Sequence, residues 1–244
     1  MRRLSTSELL SVWEKGASER RSAWPITLLA ATCSDQSPED LARLSVGQRD
    51  SRLLELRERM FGPELNLLSC CPACDARLEM NPSVKSLRTG QPQHATAPLC
   101  VNAGGFDVCF RLPDSFDLDA AAELSDSAAA RMLLLERCVT AATRAGEAVP
   151  VSELPAEVVD AIAAGMANAD PQADIQLTMA CPSCGHRWQA IFDIAGCFWR
   201  ELDSWAIRIL KEVHTLARAY GWSEADILGM SRLRRQTYLE LVTG

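Results

Sequence analysis

Two short segments hold the side chains best suited to chemistry, Cys71-Pro72-Ala73-Cys74 and Cys181-Pro182-Ser183-Cys184. Two residues between thiols let both sulfurs turn into one tetrahedral site while N–H groups of the tight turn donate to them. Two such turns supply the four ligands of one structural Zn2+. Proline sets the first turn angle of each. Gly185 follows the second pair, where a positive φ is often needed, and Asp75 occupies the matching place after the first, which Asp adopts less easily. The predicted ligand set is therefore Cys71, Cys74, Cys181 and Cys184, with Zn2+ as the cofactor. The halves are far apart, with 106 residues between Cys74 and Cys181, much longer than in compact zinc motifs. Loop closure grows only logarithmically with length, so the split is thermodynamically modest once a fold holds both ends. Two other readings stand beside this one: a pair of unmetallated turns, and a redox CxxC. Strand-like patterns bracket both motifs, whereas a thiol oxidoreductase places its motif at a helix N-terminus.

The remaining reactive side chains have weaker contexts. Cys70 adjoins Cys71 and competes with it as a ligand, but pairing with Cys74 would break the CxxC spacing. His186, two residues past the last thiol, reads as a solvated hairpin residue with ligation as the alternative. Cys33, Cys100, Cys109, Cys138 and Cys197 lie singly in apolar patterns and are expected as small buried hydrophobes. His94 lies in a polar loop and His214 on a long helix, neither within a motif. The acids Asp114, Asp117 and Asp119 lack the glycine and closing Glu of a calcium loop, so a solvated helix start is expected there. No nucleotide-binding, zinc-protease or nucleophile-elbow motif occurs, and four thiolates leave zinc no open position. Neither an enzyme nor a small-molecule substrate is expected.

The elements that must position these cysteines follow from periodicity. The chain has 244 residues, 48% hydrophobic and 23% charged, enough to bury a core without disulfide staples. Leu9, Leu10 and Trp13 mark a first amphipathic helix. Pro25 opens a second and Ser37-Pro38 a third, while Ser45 with Gln48 caps a fourth that places Leu53, Leu54, Leu56 and Met60 on one face and Arg52, Glu55, Arg57 and Glu58 mostly opposite. Alternation then points to strands on both sides of each CPxC turn and at FDVCFRLP. Residues 81–98 read as a loop or linker. Helices are predicted within 126–139 and 155–167, separated by the break at AGEAVP. Phe198, Trp199, Leu202, Trp205, Ile209, Leu210, Val213, Leu216 and Tyr220 define a long helix from about 196 to 220, its aromatics expected as core, and short capped helices close the chain. There Arg232, Arg234 and Arg235 read as a solvated face or a rim contact. The expected fold is α+β: a helical N-terminal part (1–62), a split four-cysteine zinc-ribbon β unit with a helical insertion (63–195), and a C-terminal helical segment (196–244).

Lys and Arg number 25 against 32 Asp and Glu, a net charge of −7, which removes the electrostatic term that supplies most non-specific nucleic-acid affinity. No apolar run approaches the roughly 18 residues of a membrane span, and the opening arginines are not followed by an apolar signal core. No nucleic acid and no membrane are expected, and the chain reads as cytoplasmic, with its cysteines as thiols or ligands.

Three stretches together resemble a known group: LLSVWEKG; SVGQRDSRLLELRERMFGPEL running into CPACDARLE; and ADIQLTMACPSCGHRWQAIFDI with the later HTLARAYGWSEADILGMSRLRRQTYLELV. They are similar to baseplate proteins, or T-even-type baseplate hub assembly chaperones, of contractile phage tails and related injection particles. The resemblance covers most of the chain outside 81–100 and 145–172. It implies that Cys71, Cys74, Cys181 and Cys184 are the zinc-ribbon cysteines, that the partners are baseplate or hub proteins, and that the role is assembly as chaperone or adaptor. The Cys70-Cys71 doublet and Asp75 depart from the family pattern. The alternative is a zinc-ribbon nucleic-acid-binding or transcription-associated protein, for which His186, Arg187 and Trp188 would form a basic aromatic hairpin.

Overall fold

The computed structural model of the chain describes residues 2–19, 23–89 and 98–243. In chain order they form helices α1 (Thr6–Ser18), α2 (Trp24–Thr32), α3 (Pro38–Ala42) and α4 (Val46–Phe61), strands β1 (Leu67–Cys70) and β2 (Arg77–Met80), and helix α5 (Val84–Leu87). Strands β3 (Leu99–Ala103) and β4 (Phe106–Phe110), helices α6 (Ser115–Ala122) and α7 (Ser127–Cys138), strands β5 (Val139–Arg144) and β6 (Glu147–Ala148) and helix α8 (Ala156–Ala169) follow. Strands β7 (Gln176–Ala180) and β8 (Arg187–Ile191) and helices α9 (Ile194–Tyr220), α10 (Glu224–Leu228) and α11 (Arg232–Thr243) complete the chain. Helix and strand are thus mixed, with the strands in small antiparallel sheets. The chain divides into two compact units, Met1–Pro38 with Ala195–Gly244, and Glu39–Ile194.

In the first unit the predicted periodicity of α9 becomes a buried stripe of Phe198, Leu202, Ala206, Ile209, Val213 and Leu216. Trp24 meets Phe198 edge-on at 5.9 Å and Trp199 at 5.4 Å, so these aromatics are core, as their spacing predicts. Trp13 donates its indole N–H to Asp203 at 2.9 Å. Ser5 and Glu8 form a capping box that starts α1. Arg235 corrects the reading of a solvated or rim arginine: it is buried, and its Nε donates to Glu212 at 2.7 Å.

The second unit is built on the antiparallel sheet β3-β4-β5-β6. Phe106, Val108 and Phe110 of β4 and Ala142 of β5 pack with Leu135 of α7 and Val158 and Ile162 of α8. Gly104 and Gly105, both at positive φ, make the two-residue turn between β3 and β4. Strand β5 occupies the stretch just before the predicted break; apart from Val139 its residues are small or polar, and only Ala142 is buried, so no alternation of large apolar residues marks it. Helix α4 begins at the expected Ser45–Gln48 capping box and buries Leu53, Leu54 and Leu56. Arg57 is a correction: assigned to the polar face, it is buried and donates to the Gly62 carbonyl at 2.7 Å. The expected loop at 81–98 contains α5, whose Val84 and Leu87 are buried. The rest of that expectation, including His94, falls on 90–97, outside the described residues.

Candidate metal centre

Hairpins β1-β2 and β7-β8 place the two CPxC turns. Pairing of Cys70 with Arg77 ends the first hairpin ladder, and pairing of Ala180 with Arg187 ends the second. Beyond those pairs the two turns repeat each other. The Cys71 N–H donates to the Ala76 carbonyl at 3.0 Å and the Cys181 N–H to the His186 carbonyl at 2.9 Å. Asp75 N–H then closes on Cys71 O, and Gly185 N–H on Cys181 O, each at 2.9 Å. Both closures require a left-handed residue, and Asp75 (φ 54°) adopts the conformation that Gly185 (φ 74°) takes without a Cβ penalty.

The four sulfurs of Cys71, Cys74, Cys181 and Cys184 all lie within 4.8 Å of one another. Cys71 Sγ is 3.7 Å from Cys184 Sγ, and Cys74 Sγ is 3.6 Å from Cys181 Sγ. Tetrahedral zinc with bonds of about 2.3 Å sets its sulfurs about 3.8 Å apart, so the donor set fits such an ion. Among the described residues this is the cluster of Cys, His, Asp and Glu side chains able to hold a metal. Cys71 and Cys181 are buried and Cys74 and Cys184 exposed, which leaves a path for ion entry. Leu78, Ala76 and Trp188 pack around the buried pair.

Backbone donors bias the sulfurs toward thiolate. Cys181 is lowered to about 6, chiefly because the Cys184 N–H donates to its sulfur, with Ser183 N–H adding to this against the cost of burial. The Ala76 N–H favours the Cys74 thiolate too, but hydrogen bonds shared with the Cys184 and Cys181 thiols outweigh it and push Cys74 up to about 12. Cys184 is likewise raised: the His186 N–H favours its thiolate, while burial and the Cys181 and Cys71 thiols oppose it. Four crowded sulfurs resist ionising together, and a divalent cation is what would let them.

Cys70 and His186 stand outside the cluster. Cys70 is exposed at the end of β1, and the His186 ring stacks on Trp188 at 5.8 Å. Cys33 and Cys138 are buried thiols, as expected, and Cys197 is half-buried and accepts from Arg200. Cys100 and Cys109 correct the expectation of single buried thiols: they are directly cross-strand on β3 and β4 and joined as a disulfide. Their equal distance from Gly104-Gly105 is the sequence signal that pairs them.

A second correction concerns the acids at the start of α6. Asp114 caps the helix start that the sequence places here, but Asp117 is fully buried instead of solvated. It accepts from Arg111 Nη1 at 2.6 Å and Nη2 at 2.9 Å, from Arg137 Nε at 2.7 Å and from the Asp114 N–H at 3.0 Å. Burial alone would raise its carboxyl, yet these donors, Arg111 foremost, hold it well below the usual carboxylate range. Cys138 is pushed up to about 11 by burial and by the Asp117 charge.

The chain is thus a mixed helical and stranded protein whose most concentrated chemistry is a four-cysteine cluster assembled from two distant turns. It belongs to the family of the T4 bacteriophage base plate protein, which it matches over residues 6–199, more than half of its length and including both CPxC turns. No curated protein and no solved structure matches it. Among the described residues no helix is long and apolar enough to cross a membrane.

Proposed function

We propose that the chain is a non-enzymatic assembly factor, a chaperone or adaptor, for the baseplate of a contractile phage tail-like particle. The match to the base plate family over residues 6–199 carries this reading. Its partners are other baseplate or hub proteins, which it meets in the cytoplasm where the particle is built. The two hairpins form a zinc ribbon around one structural Zn2+, held by Cys71, Cys74, Cys181 and Cys184. When bound, the ion supplies folding energy. Cys71 and Cys181, buried against Leu78 and Trp188, anchor the hairpins, and the N–H groups of Ala76, Cys184 and His186 steady the sulfurs. A site with four protein thiolates has no position left for substrate or water, which favours bracing over catalysis.

Deleting the gene tests the role. Mature particles should disappear while tube and sheath proteins are still made, and normal numbers of functional particles would refute the proposal. Mass spectrometry of purified wild-type particles separates the two forms: absence of the chain supports a chaperone, and a fixed stoichiometric band a permanent component.

A further inference from the structure

The solvent face of α9 carries a groove of about 500 Å3 lined by Ile207, Leu210, Lys211, His214 and Thr215. Ile207 and Lys211 are exposed and lie away from the stripe of Ala206, Ile209, Val213 and Leu216 that α9 buries within its own unit, while Leu210, half-buried, packs against that core at the inner edge of the groove. Ile207 is 42% exposed. The groove sits among cations: Arg208, Lys211 and Arg218 are all exposed, and none has an ion-pair partner among the described residues. The one acid between Ile207 and Tyr220, Glu212, is taken up by Arg235 at 2.7 Å. A chain with a net charge of −7 therefore displays one surface that is cationic at its edges and apolar at its centre.

Ile207, Lys211, His214 and Arg218 recur at steps of four, three and four, which places them in one stripe along the helix, the spacing at which a second helix can lie alongside. Eleven residues of α-helix rise about 16 Å, or three turns. An amphipathic helix of that length meets both features: one or two apolar side chains enter the groove between Ile207 and Leu210, and carboxylates on its flanks pair with Arg208, Lys211 and Arg218. A nucleic-acid backbone has no apolar side chain to place there, and the apolar strip is too narrow to enter a bilayer.

We propose that this face of α9 is a docking site for an acidic amphipathic helix of a partner protein. The residues concerned lie beyond the segment matched by the base plate family, so the inference does not rest on the assembly reading.

The test uses the full chain and two labelled helical peptides of about 18 residues, with leucines at i, i+3, i+4 and i+7 and either Glu or Lys on the polar face. Fluorescence anisotropy should show saturable binding of the Glu peptide, at least about tenfold tighter than the Lys peptide and weakening as salt rises from roughly 0.05 to 0.5 M. Ile207→Asp should abolish binding. The double variant Lys211→Glu with Arg218→Glu should reverse the preference, a gain that an unfolded variant could not produce. Failure of the Glu peptide to saturate, equal binding of both peptides, or unchanged binding by these variants would overturn the proposal. So would displacement of the peptide by phosphatidylserine vesicles or duplex DNA, or self-association of the chain that Ile207→Asp removes.

Discussion

Chelating the proposed Zn2+, or replacing Cys181 with Ser, should unfold the β1-β2 and β7-β8 hairpins while leaving the four-stranded sheet folded. Two-stranded hairpins are marginal by themselves in water, and the apolar support at this site consists of little more than Cys71, Leu78, Ala76, Cys181 and Trp188. A four-thiolate zinc with a Kd of about 1 pM, in the presence of about 1 μM free zinc, adds about 8 kcal/mol by mass action. That is comparable with the whole stability of an ordinary domain, and it acts on hairpins that hold little else. Hydrogen exchange with mass spectrometry reads the result locally. After chelation the Cys71 and Cys181 amides, which donate to Ala76 and His186, should lose protection by several orders of magnitude, while the β4 and β5 amides should not. Elemental analysis should give one zinc per chain before treatment and none in Cys181→Ser. Unchanged protection in a chain shown to be free of metal would refute the reasoning.

The buried Asp117 makes stability fall in acid. Its folded pKa is depressed, so its contribution is complete above the unfolded value of about 3.9 and is lost as pH falls below it. Asp117→Asn should lower stability at pH 7 by about 2–3 kcal/mol, reduced from the fully buried case because Arg111 and Arg137 are 41% and 39% exposed. It should also flatten the melting temperature between pH 5 and 3, each as roughly set by the same linkage. Asp75→Gly should stabilise the metal-bound protein by about 0.5 kcal/mol, and Gly185→Asp should destabilise it by a similar amount, since both positions hold positive φ; denaturant titration reads both. Under non-reducing conditions iodoacetamide should leave Cys100 and Cys109 unlabelled. Cys109→Ala should cost at most about 2–3 kcal/mol on the chain-entropy account of a short loop.

The four-cysteine cluster was legible because its information is local: each CPxC turn dictates a geometry that ignores the residues between the halves. The same holds for the capped start of α4 and for the buried stripe of α9. What stayed hidden depends on partners distant in sequence. Arg57 looks like a polar-face residue until the fold buries it and the Gly62 carbonyl accepts from its guanidinium. Asp117 looks solvated until Arg111 and Arg137 converge on it from β4's end and from α7. Strand β5 turns only Val139 and Ala142 toward a core whose bulk comes from Phe106, Phe110 and Ile162, so no alternation of large residues marks it. The Cys100–Cys109 pair required only that the hairpin symmetry about Gly104-Gly105 be noticed.

A split site has a consequence that a compact one lacks. Cys74 and Cys181, 107 positions apart, close a loop that contains the whole β3-β6 sheet with α6, α7 and α8. A cross-link across about 100 residues removes roughly 4.7 kcal/mol of chain entropy from the unfolded state. A metal bound there would not be the only tie at the neck of that loop, however. Gln172, buried, donates its side-chain amide to the Leu87 carbonyl at 3.2 Å and accepts from the Thr89 N–H at 2.9 Å, and Asp170 accepts from the Gly47 N–H at 2.8 Å. These bonds join both ends of the insertion to its base independently of the cysteines. The sheet therefore has its own core and its own neck, the hairpins share only the small cluster around Cys71, Leu78 and Cys181, and loss of a bound metal should release the hairpins first.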